Sequence, residues 1–154
     1  MKVPLSRVGK LVRIEIPMFT IIDHTADLGV EIIGKDLGEL FLSAVEGVLS
    51  LIQKESFTSS KELEEFVINS DGWDDEERLV NLINDVLYYV QVYGWWVRDV
   101  LDVHISESGS VEMRMCGTQT LDKNHLKREI KAATFHDLKI IRNVVLKTTL
   151  ILDV

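Results

Sequence analysis

Leu28-Gly29-Val30-Glu31-Ile32-Ile33-Gly34-Lys35-Asp36-Leu37-Gly38-Glu39-Leu40-Phe41 changes its hydrophobic period halfway along. Leu28 to Ile33 is apolar, rich in β-branched residues and bounded by Gly34, which predicts a strand. From Asp36 onward the apolar residues Leu37, Leu40, Phe41, Ala44, Val48, Leu51 and Ile52 return every three or four positions and form one helical stripe. Asp36 and Glu39 fall at the positive end of that helix dipole, so the helix opens where its acids are stabilising.

Working outward, Phe19-Thr20-Ile21-Ile22 predicts a strand before this unit, and Leu63 to Ile68 predicts another after a polar loop over Gln53 to Lys61. Asn69-Ser70-Asp71-Gly72 breaks that strand. Asp74, Asp75, Glu76 and Glu77 load the first turn of a second helix, with apolar positions Leu79, Leu82, Ile83, Val86, Leu87, Val90 and Tyr93 and a stop at Gly94. Beyond it the pattern turns to strands: Val97 to Ile105, Ser110 to Met115, Ile130 to Phe135, Leu138 to Ile141 and Val144 to Leu152. The expected architecture is α+β, a two-layer sandwich of mostly antiparallel sheet with two long helices on one face.

The chain has 154 residues, enough for one domain with its own core, and no apolar run approaches the ~20 residues that cross a bilayer. Met1 to Ile16 carries Lys2, Arg7, Lys10 and Arg13 against the single acid Glu15. Residues 1–17 therefore read as an N-terminal extension, disordered or not native, and residues 18–154 as the domain. Glu15 and Pro17 interrupt any signal-like core, and Cys116 is the only cysteine, so the expected location is the cytoplasm. The formal net charge of −8 argues against a protein that grips phosphate backbones by itself, a task that rests on Lys and Arg.

Three features carry candidate chemistry. Asp23-His24-Thr25-Ala26-Asp27 is a polar cluster between two apolar strands; taken alone it reads as a turn, because Asp and Thr cap their own backbone, or as a weak metal signal. Lys131-Ala132-Ala133-Thr134-Phe135-His136, read as a strand, puts Lys131, Ala133 and Phe135 on one face and Thr134 and His136 on the other. Taken alone it reads as an ordinary half-buried strand, with Lys131 in solvent and His136 at its end. At the chain end, Leu150-Ile151-Leu152-Asp153-Val154 runs apolar almost to the last residue and holds the Asp153 and terminal carboxylates close together. That is either a solvated polar end or a site where a cation offsets the repulsion.

The co-occurrence of these blocks with the Asp36 to Phe41 helix start and the acidic second helix resembles the archease family, from about Phe19 to the chain end. Phe135 stands where the family usually has tyrosine, Ala133 where a larger aliphatic is common, and the stretch before Met18 is extra; no departure touches the presumed ligands. The resemblance implies an accessory protein, not itself an enzyme, that activates the GTP-dependent tRNA-splicing RNA ligase by promoting its guanylylation and multiple turnover, and that meets RNA only through that ligase. It also implies a divalent cation held by Asp27, Asp153 and the terminal carboxylate of Val154. An all-oxygen anionic set suits calcium first, with magnesium or manganese as alternatives, and suits zinc poorly. Asp23, His24, Lys131, Thr134 and His136 are candidates for orienting the ligands or touching the partner. Two other classes compete: a small metal-dependent hydrolase built on Asp27, Asp153 and His24 or His136, and a chaperone-like binder with a sizeable exposed apolar patch.

Overall fold

The computed structural model describes residues 18–24 and 27–154, with residues 23 and 24 described in their backbone only. The extension expected over residues 1–17, together with Thr25 and Ala26, lies outside the described residues. In chain order the elements are β1 (Met18–His24), β2 (Asp27–Gly34), α1 (Leu37–Ile52), β3 (Glu64–Ser70), α2 (Asp75–Gln91), β4 (Trp95–Ile105), β5 (Val111–Gln119), β6 (Ala132–Thr134), β7 (Ile141–Arg142) and β8 (Leu146–Asp153).

Both helices begin with the same device. The Asp36 carboxylate accepts the Glu39 N–H at 2.9 Å, and Glu39 reaches back to accept the Lys35 N–H at 2.8 Å. At α2, Asp74 accepts the Glu77 N–H at 2.8 Å and Glu77 accepts the Trp73 N–H at 2.5 Å. Each aspartate satisfies an amide that the helix itself leaves without a partner, and each places negative charge at the positive dipole end.

The α+β class holds, with two helices and antiparallel strand pairing throughout. The strands divide into two sheets, one ordered β1-β2-β8-β6 with β7 also on β8, the other ordered β3-β5-β4. Helix α1 packs on β1 and β2 and reaches β4; α2 packs on β3 and β4 and reaches β6. The core lies where these layers meet: Val30, Ile32, Leu150 and Leu152 from the first sheet, Ile68, Met113 and Met115 from the second, Leu40, Phe41, Leu79 and Ile83 from the helices. Residues alternating with Val30 and Ile32 on β2 face the other way, as the pleat requires. Gly47 lets α1 sit close: a Cβ there would lie 3.1 Å from the Phe19 ring and 3.2 Å from Val30. No helix among the described residues is long and apolar enough to cross a membrane.

The second half is less regular than its sequence pattern. The block expected as a strand to Phe135 is sheet only over Ala132–Thr134, because Asp137 takes a left-handed φ of 52° and the Leu138 N–H closes a turn on the Phe135 carbonyl at 3.0 Å. The strand expected over Leu138 to Ile141 reduces to Ile141–Arg142. Ile140 N–H is taken by the Glu76 carboxylate at 3.1 Å, so the backbone there bonds to α2 instead of a strand.

Candidate metal site at one end of the first sheet

The described ends of the polar cluster belong to the paired strands β1 and β2, with Asp23 opposite Leu28 and His24 opposite Asp27. On the far side of β2, the register with β8 runs from Gly34–Leu146 to Leu28–Leu152. Carried one residue further, it sets Asp27 opposite Asp153. Leu152 is fully buried against the helices, so the next residue points to the opposite, outer face, and Asp27 shares that face by the same alternation. Cβ atoms of directly opposed residues lie ~5 Å apart, which brings the two carboxylates within reach of one ion.

Asp153 is held on its other side by β6. Ala132 is its register partner, and the Lys131 N–H donates to the Asp153 carbonyl at 2.8 Å. The strand therefore runs to the penultimate residue, and Val154, 44% exposed, follows directly. Of the residues singled out in the sequence, Asp27, Asp153, Val154 and Lys131 converge on one end of the sheet, Lys131 through its backbone. The side chains of Asp23 and His24 lie outside the described residues, although their strand carries them to the same end.

Thr134 and His136 lie further along the chain from the Asp153 rung. Thr134 is paired with Ile151, two rungs from Asp153, and its hydroxyl donates to the Ile151 carbonyl and accepts the His136 N–H, each at 3.3 Å. His136 has left the strand and its ring lies 3.2 Å from the Asp137 carboxylate. Thr134 thus ties down the end of β6, two rungs from the Asp153 pair.

Among the described residues no three His, Cys, Asp or Glu side chains stand together as a metal cluster. The donor set that the family resemblance implies would be Asp27, Asp153 and the carboxylate of Val154. Three anionic oxygen donors with no nitrogen or sulfur fit a hard divalent cation that completes its shell with water. Cys116 adds nothing here: it is buried in β5, and burial pushes its thiol pKa up, which favours the inert protonated form.

Two residues near this end escaped the sequence reading. The Asn84 side-chain amide donates to the Ala133 carbonyl at 3.3 Å and accepts the Ala133 N–H at 2.8 Å. Gln91 does the same at Ile130, donating at 2.9 Å and accepting at 2.8 Å. Their only sequence signal is two carboxamides seven residues apart on an otherwise amphipathic helix, a spacing of two turns.

Two antiparallel sheets joined through two acid-capped helices, with carboxylates gathered at the chain end, define the class as an α+β domain with a candidate cation site. Residues 19–154 match the archease protein family (MTH1598/TM1083), and the chain belongs to that family. It is 30% identical over 121 residues to protein archease of Pyrococcus abyssi, spanning 77% of this chain and 84% of the relative. Protein archease of Saccharolobus islandicus is 34% identical over 123 residues, 79% of this chain and 87% of that one. In fold it is similar to the solution structure of protein 1598 of Methanobacterium thermoautotrophicum, with a TM-score of 0.64 at 24% identity, covering 88% of this chain and 98% of that chain.

Proposed function

We propose that this protein is a cytoplasmic accessory activator of the GTP-dependent tRNA-splicing RNA ligase, acting through a divalent cation, calcium in the first instance, held by Asp27, Asp153 and the terminal carboxylate of Val154. Family membership supports the partner. The observation that carries the site is the Leu28–Leu152 rung, beyond which Asp27 precedes Leu28 and Asp153 follows Leu152 on paired antiparallel strands.

A bound cation supplies charge neutralisation at this tip. The protein's own contribution is positional: β2 and β8 hold the two aspartates on one face, and the Lys131 N–H holds the backbone of Asp153 so that the last carboxylate emerges at a fixed place. Nucleotidyl transfer depends on placement and on charge compensation, so a partner that completes an ionic environment raises a rate without supplying a nucleophile. RNA is met through the ligase, consistent with the net charge of −8.

The test is ligase guanylylation with GTP and manganese, followed with and without this protein. Faster guanylylation and repeated turnover are expected. No change in either, or steady phosphoester hydrolysis by the purified chain alone with added metals, would replace the accessory reading.

A further inference from the structure

We infer that Asn84 and Gln91 of α2 are positioning residues for the candidate cation site, acting through the backbone of residues 130–133; this rests on the reading of Asp27, Asp153 and Val154 as the ligands.

Each amide makes a two-bond ring with one backbone residue, Asn84 with Ala133 and Gln91 with Ile130. The dimensions match. Seven helical residues rise about 10.5 Å, and three extended residues span about 10 Å, so amides two turns apart on α2 register with Ile130 and Ala133 running in the opposite direction. In a regular strand, residues three apart present their backbone groups to opposite edges. Here the chain is irregular at Lys131, whose N–H turns to the Asp153 carbonyl at 2.8 Å, and the irregularity lets Ile130 and Ala133 both face α2.

The consequence is specific to the chain end. Lys131 and Ala132, the two residues that meet the Asp153 backbone, are bracketed by the two residues pinned to the helix. Asp153 is thereby fixed against a three-residue strand that is too short to be stable by its own pairing. Losing either amide leaves an N–H and a carbonyl without partners at the edge of β6 and frees the segment against which Asp153 is set. A ligand held loosely binds an ion less tightly, and groups that orient ligands typically govern about 10–100-fold in metal affinity.

Gln53 provides the control. It makes the same two-bond ring with Val97 at the edge of β4, donating at 2.5 Å and accepting at 3.0 Å, in the other sheet. Asn84→Ala, Gln91→Ala and Gln53→Ala are compared by calcium calorimetry, melting temperature, and hydrogen exchange at the Lys131 amide. Asn84→Ala and Gln91→Ala are expected to weaken calcium binding about tenfold or more and to speed Lys131 exchange. Gln53→Ala should lower the melting temperature comparably while leaving both readouts as in the wild type. Unchanged Lys131 exchange, or calcium affinity lost no more in the α2 variants than in Gln53→Ala, overturns the inference and leaves Asn84 and Gln91 as ordinary edge caps. Failure of the wild-type chain to bind calcium overturns the site itself and this inference with it. Wild-type binding that Asn84→Ala and Gln91→Ala both retain overturns this inference alone.

Discussion

Leu28 and Leu152 form the last paired rung between β2 and β8, and the residue beyond each of them is an aspartate. Opposed carboxylates on one face repel unless a cation or proton compensates them. Asp27→Asn removes a charged ligand. With calcium at about 100 times the dissociation constant the wild type should gain about 2.7 kcal/mol and the variant far less. Equal calcium-induced shifts in a melting experiment would remove Asp27 from the site.

Gln53 is 8% exposed and bonds both backbone groups of Val97 through its side-chain amide. Gln53→Ala should cost about 1–3 kcal/mol, the penalty of leaving buried polar groups unsatisfied. Urea unfolding measures it, and a change below about 0.5 kcal/mol would mean that water replaces the amide at no loss.

Burial holds the Cys116 thiol pKa above its ordinary value, so the thiolate fraction at neutral pH falls below that of a free cysteine. A chromogenic disulfide reagent should leave the native chain unreacted at pH 7 over minutes and release one thiol per chain in denaturant. Rapid native reaction would contradict the buried placement.

How far the sequence anticipated this structure follows from which interactions are local. The helices were legible because Asp36 with Glu39 and Asp74 with Glu77 announce each start within four residues and the apolar stripe continues for several turns. The candidate site was legible as three separate blocks, through family resemblance; the residues alone left turn, half-buried strand and solvated end open. What joins the blocks is the register of β2 with β8, a pairing of residues more than 110 positions apart that no local pattern encodes. Gln53 reads as the first residue of a polar loop, and Asn84 and Gln91 fall outside the apolar stripe of their helix, since a carboxamide looks the same in sequence whether it meets water or a strand edge. Phe135 and His136 fit strand alternation, yet the left-handed turn at Asp137 takes them out of the sheet.

With a net charge of −8, the isolated protein should show no appreciable affinity for tRNA at physiological salt. A gel shift in the absence of ligase measures this, and a clear complex would require a direct RNA-binding role.

The terminal carboxylate gives the most direct test, because its position matters more than its side chain. Appended residues convert it to a neutral amide, and Asp153→Asn removes its neighbour, whereas Val154→Ile keeps the anion and changes little apolar volume. The measurement is multiple-turnover ligation by the tRNA-splicing ligase with the protein tagged at one end or the other. Stimulation by the N-terminally tagged form and by Val154→Ile, with stimulation lost for the C-terminally tagged form and for Asp153→Asn, is the predicted result; equal stimulation by the two tagged forms would contradict the account.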